Sequence, residues 1–501
     1  MDVTRLEKLR PCGRLETYST ARHHLGFYNN VGLTATYTTP SNLRISIQDL
    51  VFAALHHVIA EHPNLSAILV HEDKSFPDVY FARLPEFDLD TCVEFRMRGH
   101  AIPQDDEADI DLGKLLSQQH IRNFKSSVPG PYWRLIVTAF PSDRQVFTAS
   151  WIFHHALADG ASAMMFHETL LEGLNNFMRA PVKDFATLVS APSITLALPL
   201  EDLHPMTVSW PFFVSAVAGS LMPKYLKRKP WTGPPIGRMP PQSTANACVV
   251  LSAETTQAFA GLCRKQGTSV TATLSTLLAS VIVEILGPLC DEIKIGMPIS
   301  LRPVLNVGKK QMLNAITNHT SIFRRSDFVE ELEDETYWKI ARRVKSELAV
   351  EVSKEGTDNP IALLKYVSNM HDYFNEKLGR ERETTAEVSN LGVYRPQTLN
   401  TEENLVSPKR SLQLEDESSS WAIGRMVFSQ SLNHTGPAIC LSAVTGGDGC
   451  LAMSFNWPQD PMKDSEATEQ SLRLVPGLVK QSILDLVRTP VYDTNGADRG
   501  E

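Results

Sequence analysis

The sequence predicts an α/β protein of two layered subdomains. Three observations carry that prediction. The same alternation of amphipathic helices and apolar strands occurs twice along the chain. A proline-rich stretch, KPWTGPPIGRMPPQ, separates the two runs and cannot hold regular structure. And 501 residues with 43% apolar content suffice for two cores, at roughly 100–200 residues per domain. On this reading residues 1–200 form the first subdomain, 201–243 the connector and 244–501 the second.

In the first half, SIQDLVFAALHHVIAEHPNL has helical apolar spacing, with Ser46 as N-cap and Asp49 in the first turn. His56 and His57 fall inside that helix as partly buried decoration. PYWRLIVTAF and QVFTASWIF follow as strands. Between the halves, Met206 to Met222 is apolar and is followed by Lys224, Lys227, Arg228 and Lys229. It is short for a membrane span, which needs about 20 residues, and Pro211 interrupts it. A linker helix, or a peripheral membrane contact helped by those cations, is the expectation.

In the second half, VVLSAETTQAFAGLCRKQGTSVTATLSTLLASVIVEIL predicts a strand, a helix, and a second helix starting near Thr268 or Ser269. EIKIGMPISL is a strand. FVEELEDETYWKIARRVKSEL is a helix with acids first and bases last, the order its dipole favours. PAICLSAVTGGDGCLAMSFNW is a hairpin, with Gly446, Gly447 and Gly449 expected to supply positive φ angles at the turn. PQTLNTEENLVSPKRSLQLEDESSS is a polar surface loop.

Bulk chemistry narrows the function. A net charge of −9 argues against nucleic acid, whose binders show a basic stripe. Seven scattered cysteines without a CxxC suggest neither a disulfide framework nor a zinc site. The start, MDVTRLEKLRPCGR, has no apolar core and is not expected to be a signal peptide, so a reducing cytoplasm is the expected compartment. No GxxxxGK[ST], GxGxxG after a strand, GxSxG or HExxH occurs. An enzyme built this way would use an already activated substrate and a general base.

One stretch stands out for chemistry: WIFHHALADG, Trp151 to Gly160. An apolar strand that ends in His154-His155 turns the two imidazoles to opposite faces. One can then meet a cavity while the other is held in the interior. Two further histidine pairs serve as controls. Neither His23-His24, read as structural, nor His56-His57 is followed by Asp-Gly at the same distance.

HHALADG resembles the HHxxxDG motif of the CoA-dependent acyltransferase superfamily, which includes chloramphenicol acetyltransferase, plant BAHD enzymes and nonribosomal-peptide condensation domains. AALHHVIAEHPNL, PYWRLIV, GMPISLRP, SNLG (Ser389–Gly392) and FSQS (Phe428–Ser431) extend the likeness along nearly the whole chain. They look most like the fungal and yeast alcohol O-acetyltransferase branch. The DFGWG of plant enzymes is absent, which counts against a BAHD enzyme proper. The resemblance implies two chloramphenicol-acetyltransferase-like subdomains with a channel between them, acyl-CoA entering from one face and the acceptor from the other. It makes His155 the general base, His154 a residue of geometry, and Gly160 the residue that leaves the channel clear. It pairs Asp159 with Arg302 of PISLRP, turned away from the cavity; a partner for the base, as in a Ser-His-Asp triad, is the other reading of Asp159. Ser389, Asn390, Ser429 and Gln430 are candidate oxyanion donors from channel loops. Each has an equally plain structural use, as a strand-end turn or a floor loop.

The implied activity is acyl-CoA-dependent O-acylation, acetyl-CoA being the expected co-substrate and a small-molecule alcohol or secondary-metabolite hydroxyl the acceptor. No tightly bound cofactor and no metal are expected. Transfer to an amine, or from a carrier protein as in condensation domains, is the alternative in the same fold. A non-catalytic homologue that binds a ligand through the old channel is the alternative of another class. A monomer is expected, cytoplasmic, with peripheral contact to endomembrane or a lipid droplet.

Overall fold

The computed structural model describes residues 2–39, 45–125, 130–140, 145–179, 186–221, 230–240, 243–329, 334–395, 420–459 and 466–488. The first half contains β1 (Glu7–Pro11), α1 (Arg14–His24), β2 (Val31–Thr38), α2 (Ile47–Glu61), β3 (Ala67–Val70), β4 (Tyr80–Arg83), β5 (Glu86–Asp88), β6 (Val93–Met97), α3 (Ile110–His120), β7 (Trp133–Ala139), β8 (Val146–Phe153), α4 (Gly160–Arg179) and β9 (Leu188–Ser190). Then come α5 (Leu200–Leu203), α6 (Trp210–Leu221), β10 (Ser243–Leu251), α7 (Ala253–Lys265), α8 (Val270–Leu286), β11 (Glu292–Ser300), β12 (Ile316–Arg324), α9 (Ser326–Val329), α10 (Asp334–Ser353), α11 (Met370–Asn375), β13 (Ala386–Val393), β14 (Ala422–Gln430), β15 (Ile439–Thr445), β16 (Leu451–Gln459) and α12 (Glu466–Arg488).

Two large sheets organise these elements. One has the order β14-β2-β8-β7-β6, the other β10-β16-β15-β13-β11-β12. In the second, β13 runs parallel to both β11 and β15, and the remaining pairs are antiparallel. Strand alternation explains the first. Phe147, Ala149, Trp151 and Phe153 of β8 share one face and join Leu50, Leu55, Phe166 and Leu170 of α2 and α4 in one core. Trp151 stacks on Phe166 at 4.4 Å, a pair worth about 0.5–1.5 kcal/mol beyond its buried area. The opposite face carries Thr148, Ser150 and Ile152. There Ser150 bonds Thr34 of β2 at 2.8 Å, and Ile152 packs with Leu112, Val250 and Ala452 from α3, β10 and β16. The two large sheets are thus cemented into one body.

One strand breaks the simple division. β14 follows the connector in sequence, yet it pairs antiparallel with β2 and completes the sheet of the first half.

Several expectations are met where local chemistry dominates. Ser46 caps α2 by accepting the Asp49 amide at 3.1 Å, and Ser269 caps α8 from Ala272 at 3.3 Å. The connector residues 230–240 hold no regular element. The β15–β16 hairpin is present, but its glycines act differently from the expectation: only Gly449 has positive φ, at +78°. Gly446 and Gly447 are needed for close approach, because a Cβ at Gly446 would sit 2.6 Å from the Gly424 oxygen and one at Gly447 would strike the Ile423 carbonyl. Lys224, Lys227, Arg228, Lys229 and the polar segment 396–419 lie outside the described residues. Among the described residues no single helix is long and apolar enough to cross a membrane.

Candidate active site

The HHALADG turn joins β8 to α4, with both histidines just past the end of the strand rather than on it. It is braced from three directions. The His154 amide donates to Tyr132 O at 2.9 Å, Asn64 Nδ2 to Leu157 O at 2.7 Å, and Asn314 Nδ2 to His155 O at 2.9 Å. Asn314 belongs to the second half, so the turn lies where the halves meet.

The two imidazoles meet different surroundings, but the turn separates them and not strand alternation, because β8 ends at Phe153. His154 is buried; its Nδ1 accepts the Ala156 amide at 2.9 Å and its Nε2 faces Glu72 Oε1 at 3.1 Å. An accepting Nδ1 carries no proton, so Nε2 does and donates to the carboxylate. His23 mirrors this arrangement. Its Nε2 accepts the Phe124 amide at 2.9 Å and its Nδ1 donates to the same Glu72 oxygen at 2.9 Å. Burial raises a carboxyl, but the contacts with His23 and His154 outweigh it and hold Glu72 down to about 2. The sequence reading missed Glu72, which sits in a turn after β3 with no motif around it, and it left His23 without a partner.

His23, Glu72 and His154 also form a group of three potential metal ligands. Their hydrogen bonds satisfy the trio with protons: a cation would have to displace both imidazole N–H groups. Treatment with a chelator should therefore leave acyl transfer unchanged. Activity lost to chelator and restored by zinc would overturn that expectation.

His155 differs from its neighbour. It keeps part of its surface open. Nδ1 is buried without a hydrogen bond, so Nε2 is the nitrogen available to a substrate. Burial pushes the imidazole down to about 4, helped by the charge of Arg22 and opposed by the carbonyls of His155 and Ala158 and by Asp159. At neutral pH the ring is neutral, the form a base needs.

Asp159 bonds Arg302, Ser162 and the Ala315 amide, and among the described residues it makes no hydrogen bond to His155. Its Oδ1 accepts Arg302 Nη2 at 3.0 Å, the Ser162 amide at 2.8 Å and Ser162 Oγ at 2.9 Å; its Oδ2 accepts the Ala315 amide at 3.2 Å. Arg302 also donates to the carbonyls of Gln311 and Leu313, at 2.9 and 3.0 Å. Asp159 is 1% exposed and Arg302 13%. The resemblance gave Gly160 the task of clearing a channel. In the structure a Cβ there would run into Leu391 of β13, so this glycine admits a close contact between α4 and the second half.

The four donor candidates lie on strands, not loops. Ser429 Oγ bonds His120 Nε2 at 2.9 Å, and His120 Nδ1 bonds Asn30 Oδ1 at 2.6 Å. Gln430 accepts from the Tyr28 hydroxyl at 2.7 Å and donates to Ser442 at 3.0 Å and Glu387 at 3.3 Å. Asn390 donates to Thr271 at 3.1 Å and accepts the Gly392 amide at 2.9 Å. Ser389 is buried on β13 opposite Ser442. Ser429, Gln430 and Asn390 thus already hold partners that tie their strands to neighbouring elements.

His120 is pushed down to about 3, chiefly by burial, and His62, His154, His155, His167 and His434 to about 4. Between about pH 6.5 and 4 the unfolded chain takes up protons that the folded one refuses, so stability falls as pH falls. All six imidazoles act in this same destabilising direction as pH falls. Thermal melts should show a steep loss of stability between pH 6.5 and 4.5. A melting temperature flat across that interval would contradict these buried neutral imidazoles.

Comparison with known proteins agrees with the geometry. The family profile of alcohol acetyltransferases matches residues 11–476. A probable alcohol acetyltransferase, crmB, of Aspergillus fumigatus is 30% identical over 471 residues, covering 90% of this chain and 95% of the relative. A probable alcohol acetyltransferase, FCK4, of Fusarium pseudograminearum is 25% identical, covering 92% of each. Among solved structures, the trichothecene 15-O-acetyltransferase TRI3 of Fusarium sporotrichioides superposes with a TM-score of 0.62 at 13% identity, over 94% of both chains. The first condensation domain of the calcium-dependent antibiotic synthetase gives 0.58 at 11% identity, over 98% of both. These two likenesses show the shared fold.

Proposed function

Because the chain belongs to the alcohol acetyltransferase family, we propose that it transfers the acetyl group of acetyl-CoA to the hydroxyl of a small-molecule alcohol, with His155 as general base. One observation carries the assignment of the base. Of the two histidines in the motif turn, His154 has both nitrogens committed, while His155 keeps Nε2 open at the meeting of the two halves.

The acceptor hydroxyl gives its proton to His155 Nε2 as its oxygen attacks the thioester carbonyl. The tetrahedral intermediate then collapses. The C–S bond breaks, the proton passes from Nε2 to the departing sulfur, and an acetate ester and free CoA leave. No acyl-enzyme forms. His154, Glu72 and His23 hold the turn from below, and Asp159 with Arg302 holds it from the side, so the base meets each substrate in one position.

The same proposal has the protein working as a cytoplasmic monomer, consistent with seven free cysteines. It touches endomembrane or a lipid droplet through α6, where Trp210, Val214 and Val217 are exposed. The test of the chemistry is incubation with acetyl-CoA and a panel of alcohols and amines, following thiol release and product mass. Esters are expected. Amides alone, or no thiol release with any hydroxyl compound, would defeat the proposal.

A further inference from the structure

We propose that Arg22 anchors a carboxylate carried by the acceptor alcohol, which makes hydroxy acids the preferred acceptor class. The proposal rests on the reading that a hydroxyl is acetylated at His155, and it adds what else that acceptor carries.

Arg22 lies on α1. Its guanidinium carbon lies over two rings, 4.4 Å from the centroid of Tyr18 and 4.5 Å from that of Tyr28. The residue is 8% exposed. Nε is buried with no hydrogen bond, and among the described residues no carboxylate lies within salt-bridge reach of the guanidinium. Each ring offers its π-face to the charge. Among the described residues its N–H edge, the part that recognises carboxylates in a fork, makes no hydrogen bond, and Nε is buried.

An unbonded Nε is shared with Arg302 and Arg325, but the buried Arg98, Arg134 and Arg382 and the half-buried Arg302 each hold a carboxylate or carbonyls. Arg98 pairs with Asp109, and Arg302 with Asp159. Arg134 donates to Gln119 and to the Arg122 carbonyl; Arg382 donates to the carbonyls of Pro234, His434 and Gly436. Glu387 comes nearest to that role: burial pushes its carboxyl up and the Arg22 charge partly opposes this, but the two do not reach each other as a salt bridge, and Glu387 Oε1 takes the Gln430 amide. A charge removed from water without a partner is costly, and the fold leaves this one in place.

Its position says what the partner is. The Tyr28 ring is 5.9 Å from the His155 ring, and the Arg22 charge acts on that imidazole. Ser19, one turn earlier on α1, is bonded by Asn314, which also holds His155 O. The α1 face that carries Arg22 is therefore the face beside the base. A thioester arriving at His155 brings an uncharged arm, because the phosphates of CoA lie at its far end. A lasting anion at this depth comes with the acceptor. The oxyanion of the reaction exists only in passage and would leave the guanidinium unpaired in every resting state.

The experiment compares terminal hydroxy acids of three to six carbons with the hydroxy amides of the same length, acetyl-CoA being constant. For the wild type, kcat/KM should favour the acid over the amide by about 10- to 100-fold at the best length, as charge-assisted hydrogen bonds allow. In Arg22→Met that ratio should fall to near one, and Arg22→Lys, which keeps the charge and loses the fork, should retain part of it. The best hydroxy acid should also raise the melting temperature of the wild type and not that of Arg22→Met. An acid-to-amide ratio near one in the wild type at every length overturns the proposal, even if neither variant folds. So does an equal loss for both acceptors in Arg22→Met with the ratio intact, which would make Arg22 a donor to the oxyanion. Absence of transfer to every hydroxyl compound counts against the parent reading instead; the thermal shift then decides the carboxylate site by itself.

Discussion

Replacing His155 with alanine is expected to lower acetyl transfer by about 100- to 10,000-fold, the range general-base catalysis supplies, while the protein stays folded. The reason lies in how little else the side chain does. Its Nδ1 makes no hydrogen bond, and the turn around it is held by backbone groups, Asn64 and Asn314. Truncation removes the base and leaves those braces intact. His154→Ala should behave differently. It strips Glu72 of one of its two imidazole donors and deprives the Ala156 amide of its acceptor, so a loss of stability accompanies any loss of rate. Thiol release under saturating substrates, with melting temperatures for both variants, separates the two histidines. A well-folded His155→Ala with near-wild-type turnover would remove it from the base role.

The second large effect concerns Asp159 and Arg302. Breaking a buried ion pair by removing one partner costs about 3–5 kcal/mol, and both Asp159→Asn and Arg302→Met should show it as a lower melting temperature and lost activity. The two are not equal. Arg302 also holds the carbonyls of Gln311 and Leu313, so its loss loosens the segment that carries Asn314, and Arg302→Met should be the worse. The double variant leaves neither charge buried alone. It should recover part of the stability but not the bonds to 311 and 313. A double-mutant cycle on thermal stability measures the coupling. Additive losses would dissolve the pair. Lost turnover at unchanged melting temperature in Asp159→Asn would instead make this carboxylate a participant in the chemistry.

Much of this was legible in sequence, and the reasons are local. Helix caps at Ser46 and Ser269 need only three or four consecutive residues. The alternation of β8 that buries Trp151 and Phe153 is written in one strand. HHALADG shows itself by its residue types, although the strand before it stops at Phe153 and does not run into the histidines. The unreadable parts depend on residues that meet only in three dimensions. Glu72 has no pattern around it, yet two imidazoles from positions 23 and 154 converge on one of its oxygens. Ser429 and Gln430 are channel-donor candidates through the family likeness of FSQS; the partners that occupy them, His120, Tyr28 and Glu387, come from distant segments. Arg22 belongs to no motif, and nothing in a sequence reveals which charge will fold without a salt-bridge partner among the described residues.

The crossing of β14 into the first sheet also bears on how the chain is made. Tyr28 and its partner Gln430 are 402 positions apart. At roughly 5–20 residues per second, β2 leaves a ribosome some 20 to 80 s before the strand that will cover its edge exists. For that interval an apolar strand, VGLTATYT, offers an unpaired row of amides and carbonyls, the kind of template that recruits other chains. Nascent chains of this architecture therefore carry an aggregation hazard that ends only when most of the protein has been synthesised. The yield of active enzyme in a host should depend on translation speed and holdase chaperones more than on the stability of the finished fold.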